Sequence, residues 1–236
     1  MQLRSQIRNY LVQKLDVPEI PGSLKRLAAQ GFQPQLIFDV GAYRGDFAQT
    51  CLEIWPQSEV ACFEALSTRV QDLQALAREK PSIRVFAGLV GAHYQEKVQL
   101  HEAETASSVL VEQQPQGFPV SHHTMRPLDQ IVQENYGDRP PELLKIDVQG
   151  YELEVLKGAE QTLPSLQAIL AEVNLIDIHQ GVSLFAETVH WLHERGWGTF
   201  DICELHRRPL DQALWQVDVL FVPYCSPLRA DKRWGR

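Results

Sequence analysis

Residues 36–47, LIFDVGAYRGDF, constrain this chain more than any other stretch: an apolar run stops at a carboxylate and turns through two glycines into helical spacing. Leu36, Ile37, Phe38 and Val40 read as a strand buried on both faces, the pattern of a parallel sheet covered by helices. Gly41 permits a tight turn where a Cβ would block a ligand. Gly45 then opens a helix whose unpaired N–H groups face the crevice at the carboxyl edge of that sheet. The glycines follow G-x-x-x-G with Asp39 two places before the first, unlike the G-x-G-x-x-G turn that cradles a pyrophosphate.

Past this motif, apolar strands alternate with amphipathic helices. Phe47, Cys51, Leu52 and Trp55 recur at helical spacing before Pro56, and a second strand, EVACFEA, reaches Glu64. Ser67 or Thr68 caps a helix carrying Val70, Leu73, Leu76 and Ala77, and a third strand spans 83–89. Residues 93–125 break the rhythm with KVQLHEA, TASSVLV and a polar stretch holding Pro115, Gly117 and Pro119, which reads as an excursion over the sheet edge. The alternation resumes with LLKIDVQGYELEVLKGA at 143–159, the strand AILAEVNL at 168–175 and a helix over 183–195. WGTFDICEL and LWQVDVLFV close the pattern, joined by a loop too short for a parallel crossover, so they must pair antiparallel. The expectation is an α/β, Rossmann-like fold of the class I methyltransferase kind: a mostly parallel seven-stranded sheet, helices on both faces, and a terminal antiparallel hairpin strand.

The organisation this implies is an N-terminal helical segment over 1–30, one catalytic-type domain over 31–225 and a tail over 226–236. In the first segment Leu3, Ile7 and Leu15 share a helical face, the pattern of a helix packed on its own domain, on a second subunit or on an anionic membrane surface. The net charge of −8, with both signs interspersed, argues against DNA as a partner. Cys51, Cys62, Cys203 and Cys225 form no C-x-x-C pair and read as reduced. No apolar stretch is long enough to span a bilayer, and Arg4 and Arg8 stand where a signal peptide needs its apolar core, so a cytoplasmic location is expected.

FDVGAYRGDF, LLKIDVQGYELEVLKGA and LWQVDVLFV, with AEVNL between the last two, resemble the FkbM family of S-adenosylmethionine-dependent methyltransferases over roughly residues 30–223. The chain carries Tyr43 and Ala65 where family members commonly have Asn and Pro. What the resemblance implies is O-methylation of a hydroxyl on a sugar, glycan or secondary metabolite. A non-catalytic cofactor-binding module and, less favoured by the glycine spacing, an NAD-dependent oxidoreductase are the alternatives. A homo-oligomer is left open.

Several residues carry this chemistry. Glu64, just over twenty residues past Gly41, stands where a carboxylate accepts ribose hydroxyls. Asp39 suits a cationic sulfonium and repels phosphate; Gly41, Ala42, Tyr43 and Gly45 form the turn beside it, and Ser107 reaches from the excursion, where Ser107 and Ser108 equally suit a turn. Asp147 is read both as a cofactor contact and, with Glu172, as a candidate general base, because both end adjacent strands and an attacking alcohol must lose its proton. A divalent metal held by the same two carboxylates is a further route. Lys145 shares a face with Asp147 and is either catalytic or half of a structural pair. His179 is a candidate base in a loop; His122 and His123 have no third ligand at fixed spacing.

Overall fold

The computed structural model describes residues 17–235. The amphipathic helix expected over 1–15 lies outside them. Helix α1 (Ile20–Ala29) precedes β1 (Leu36–Val40), α2 (Asp46–Ile54), β2 (Glu59–Glu64), α3 (Ser67–Glu79) and β3 (Ile83–Ala87). β4 (Leu89–Val90) leads into the excursion, which contributes β5 (Gln95–His101) and β6 (Val120–Arg126). Then come α4 (Leu128–Asn135), β7 (Leu143–Ile146), α5 (Glu152–Lys157), β8 (Ala168–Asn174), α6 (Phe185–Glu194), β9 (Trp197–Arg207) and β10 (Leu214–Pro223).

Seven strands form one sheet in the order β3-β2-β1-β7-β8-β10-β9. The pairs from β3 to β8 are parallel, and β10 runs antiparallel to both β8 and β9. This is the class I methyltransferase fold. The strand order reverses between β1 and β7, and the carboxyl edge at such a switch point is the usual ligand position of these sheets.

Period-two alternation divides the core. Leu36, Phe38 and Val40 face one side, with Leu128 and Ile131 of α4, Leu156 of α5 and Leu192 of α6. Ile37 faces the other, with Leu24 and Leu27 of α1, Cys51 of α2 and Leu73 of α3. All five β1 residues are buried, as the apolar run requires. On the α4 side an aromatic cluster locks β1 to β3: Phe63 and Phe86 stack with centroids 4.9 Å apart, and Phe38 lies 5.1 Å from Phe63 and 5.2 Å from Tyr136. Such contacts add about 0.5–1.5 kcal/mol each beyond area burial.

The excursion is more ordered than its sequence suggests. Strands β4, β6 and β5 form a separate three-stranded sheet. Helix α4, unread in the sequence, shows the i, i+3, i+4 pattern of Leu128, Ile131 and Val132. No helix among the described residues is long and apolar enough to cross a membrane.

Candidate cofactor and acceptor site

A cavity of about 300 Å³ opens at the carboxyl edge of β1, β2 and β7, at the lower end of small-molecule sites. Gly41, Ala42, Tyr43 and Arg44 form one wall, Phe63 to Leu66 a second, and Lys145 with Asp147 to Gln149 a third. The excursion closes it with Leu100, Glu104, Thr105, Ser107 and Val109.

The turn after β1 is stitched to β2. Gly41 N and Ala42 N both donate to Phe63 O at 3.0 Å. Tyr43 N donates to Glu64 Oε2, and Ala65 N and Leu66 N donate to Oε1, each at 2.8 Å. Three backbone donors thus fill most of the roughly four acceptor positions of the carboxylate. Glu64 shapes the loop as well as lining the cavity.

Gly41 has φ of 80°, and a Cβ there would stand 1.8 Å from Asp147 O. The two turns touch backbone to backbone, so only glycine fits.

Two residues read as cofactor contacts lie outside the lining. Asp39 takes the alternate face of β1 and is 0% exposed. Its Oδ1 lies 3.3 Å from Lys145 Nζ, while neither oxygen has a hydrogen bond among the described residues. Burial raises its pKa against the opposing pull of Lys145. Gly45, with φ of 82°, would place a Cβ 2.8 Å from Leu76 Cδ2, so its missing side chain serves packing on α3.

Lys145 is a charged clamp. Nζ donates to Gly41 O at 3.1 Å and lies 3.3 Å from both Asp39 Oδ1 and Asp147 Oδ2. Burial by itself would lower its pKa, but Asp147, Asp39 and Asp218 outweigh that and hold it above the ordinary lysine range. A cation so held is a poor base.

Asp147 and Glu172 diverge. Asp147 lines the cavity with its side chain 34% exposed. Glu172 is 5% exposed and absent from the lining. Gln149, at φ of 54°, spans them: its Nε2 donates to Asp147 Oδ1 at 3.0 Å and Glu172 Oε2 at 2.8 Å. Gln216 Nε2 also donates to Glu172 Oε2 at 2.8 Å. Burial first, then Asp147, Glu152 and Asp218, push the Glu172 carboxyl well up. A glutamine amide thus bridges the two carboxylates where the metal route would place a cation. Glu204, His206 and Asp218 bring ligand atoms within 4.8 Å of one another, and His206 Nε2 hydrogen bonds Asp218 Oδ2 at 2.7 Å.

Glu152, also buried, accepts from Val148 N at 3.1 Å and Gly150 N at 3.0 Å, fixing the turn that presents Gln149. Burial pushes its carboxyl up to about 7.

His179 is elsewhere. It lines a second cavity of about 190 Å³ with Ser108, Leu110 and Phe118, under the excursion. Burial lowers its pKa, and Nδ1 is buried without a hydrogen-bond partner among the described residues. Ser108 Oγ donates to Gln149 O at 2.7 Å in the wall between the cavities. Ser107 lines the first cavity and closes its own turn, Oγ donating to Glu104 O at 2.7 Å.

Sequence reasoning missed Gln149, Gln216 and Glu104. A signal existed for Gln216, a polar residue two places before Asp218 in an otherwise apolar strand. None existed for Gln149, whose placement depends on a left-handed backbone, nor for Glu104, which meets the cavity only through tertiary folding.

The methyltransferase FkbM domain matches residues 39–197. Among solved structures, the methyltransferase FkbM from Methylobacillus flagellatus KT superposes with a TM-score of 0.54 at 17% identity, covering 80% of this chain and 43% of that one. The present chain therefore spans less than half the length of that protein. Precorrin-6y C5,15-methyltransferase from Geobacter metallireducens GS-15 gives a TM-score of 0.47 at 12% identity, with 84% of each chain covered. Aeropyrum pernix fibrillarin, in complex with natively bound S-adenosyl-L-methionine, gives 0.48 at 13%, covering 84% of this chain and 74% of that one. No curated protein matches the chain.

Proposed function

Since this chain belongs to the methyltransferase FkbM domain family, we propose that it transfers a methyl group from S-adenosylmethionine to a hydroxyl of a small molecule or glycan. One observation carries the reading: the cavity that contains Glu64 at the end of β2 also contains Asp147 at the end of β7, and of the three candidate bases, Asp147, Glu172 and His179, only Asp147 lines it. When bound, S-adenosylmethionine supplies an electrophilic methyl group on a cationic sulfonium. The residues present fit it. Glu64 retains an acceptor position for ribose hydroxyls, Phe63, Leu66 and Val90 offer apolar surface to the adenine, and Asp147 adds negative charge.

Asp147 removes the acceptor hydroxyl proton in this reading. Lys145 on one oxygen and Gln149 on the other fix the orientation of that carboxylate. Glu172 anchors Gln149, and Lys145 stays protonated throughout.

Calorimetric titration of the purified protein with S-adenosylmethionine, S-adenosylhomocysteine and NAD tests the assignment. Binding of the first two and not of NAD is expected; binding of NAD alone would sink it. Glu64→Ala should weaken S-adenosylmethionine binding by about 1–3 kcal/mol, through lost charge-assisted bonds and a loosened loop. Unchanged affinity in a folded variant would remove Glu64 from the site.

The chemical step separates the two carboxylates. With an acceptor drawn from a screen of hydroxylated metabolites and glycans, Asp147→Asn should lower the methylation rate by roughly 10² or more while sparing cofactor affinity. Glu172→Gln, which keeps an acceptor oxygen for both glutamine amides, should retain most of the activity. The reverse ranking would exchange their roles.

A further inference from the structure

Tyr43 projects from the turn after β1, and Glu104 lies in the short 3₁₀ turn Glu104–Ala106 of the excursion, 61 residues further on. Both line the cavity. Tyr43 Oη donates to Glu104 Oε2 at 2.8 Å, so one hydrogen bond joins opposite walls of the site. Arg69, in the first turn of α3, reinforces it: Nε lies 3.6 Å from Glu104 Oε2, and the guanidinium stands 5.2 Å from the centre of the Tyr43 ring. Arg44 lies at the same distance, 5.2 Å, from that ring. Attraction between a guanidinium and an aromatic ring holds the ring in place while its hydroxyl reaches across.

Both joined residues have left-handed backbones, with φ of 47° at Tyr43 and 53° at Glu104. Neither is glycine, and such conformations carry a strain that surrounding contacts must offset. Here the contact across the cavity, and the bonds from Ala103 N to Ser107 Oγ at 2.9 Å and from Ser107 Oγ to Glu104 O at 2.7 Å, supply that offset. Tyr43 N also donates to Glu64 Oε2 at 2.8 Å, so the residue that closes the roof is bonded to the carboxylate assigned to the ribose.

We infer that Tyr43, Glu104 and Arg69 form a latch that holds the excursion over the cofactor cavity and positions the bound cofactor, so that cofactor exchange requires the Tyr43–Glu104 bond to open. The inference rests on the S-adenosylmethionine reading above. Glu104 and Arg69 act through Tyr43 and are positioning residues. Because Glu104 is largely exposed, the bond is of the modest kind that breaks readily. The latch therefore slows release without trapping the product.

Surface plasmon resonance of S-adenosylhomocysteine on wild type, Tyr43→Phe, Glu104→Ala, Glu104→Gln and the Tyr43→Phe/Glu104→Ala double variant tests it. Tyr43→Phe and Glu104→Ala should each raise the dissociation rate about fivefold, the effect of roughly one lost hydrogen bond. The double variant should release no faster than either single one. Glu104→Gln, which keeps an acceptor for the phenol, should restore most of the slow release. Melting temperatures should fall by no more than about 2–4 °C, the effect of one modest bond in a chain of this size, whereas a merely structural role would lower them and leave release unchanged. An unaltered dissociation rate in either single variant, or additive effects in the double, overturns the latch.

Amide hydrogen exchange over residues 103–109 in the ligand-free chain supplies a second arm independent of the ligand. Exchange there should quicken in Tyr43→Phe, and equal protection overturns the latch. If wild type binds neither S-adenosylmethionine nor S-adenosylhomocysteine, the functional reading and the inferred role in cofactor exchange both fail, and the exchange result then says only whether the roof contact orders the excursion.

Discussion

Gly41→Ala is expected to abolish S-adenosylhomocysteine binding and to destabilise the fold by about 3 kcal/mol. Two effects add. At φ of 80° any side chain is strained, and the added Cβ would stand 1.8 Å from the carbonyl oxygen of Asp147, a backbone atom with no rotamer to take up the overlap. Relief requires the turns after β1 and β7 to separate, and those turns carry Tyr43, Asp147 and Gln149. Lys145 would also lose the Gly41 carbonyl to which it donates. Urea unfolding measures the stability loss, and calorimetry measures the binding. A variant with wild-type midpoint and affinity would mean that the turns have no fixed contact and that the cavity is misplaced.

Lys145→Met should cost about 3–5 kcal/mol of stability, the usual consequence of stripping one partner from a buried ion pair. Methionine fills similar space, so the loss reports charge rather than volume. Its pH dependence carries the diagnosis. The pKa of Asp39 is raised above its ordinary 3.8 by burial, although Lys145 opposes the rise. A carboxyl raised in the folded state binds a proton that the unfolded chain has lost. Its contribution is therefore full below 3.8 and is lost as pH rises through the folded value. Removing Lys145 moves that folded value further up and carries the loss toward neutrality. The stability gap between wild type and Lys145→Met should thus be smaller at pH 5 than at pH 8. A gap that is flat or widens toward acid would show that Lys145 does not compensate Asp39.

The sheet was legible because its central strands, β1, β2, β7, β8 and β10, are buried on both faces. Runs such as LIFDV and AILAEVN have no competing assignment once bounded by turns, and the loop between β9 and β10 dictated their antiparallel pairing. Strand β6, VSHHTMR, was not legible: its burial alternates, but two of the inward residues are Ser121 and His123, so no apolar period of two marks it. Within the site, the turn around Gly41 and the strand-end residues Glu64 and Asp147 could be read from spacing. The direction of each side chain could not. Asp39 and Lys145 occupy one face of adjacent strands at paired positions, which makes them ion-pair partners before either can be a ligand contact. Asp147 and Glu172 looked equivalent in sequence, and a glutamine in a left-handed conformation separates them, one exposed to the cavity and one sealed beneath it.

The order of the last three strands bears on solubility. All seven residues of β8 are buried, and six of them are in register with β10. A sheet that stopped at β8 would present an apolar strand with an open row of backbone donors and acceptors, a template on which another chain could add a strand. By inserting β10 beside β8 and placing β9 outermost, the hairpin moves the open row to a strand that carries Asp201, Glu204, His206 and Arg207 and is kinked by register shifts against its neighbour. Charge and irregularity of that kind discourage edge-to-edge association. The reversed hairpin thus does for the sheet what no catalytic argument requires of it, keeping its most adhesive strand away from other molecules.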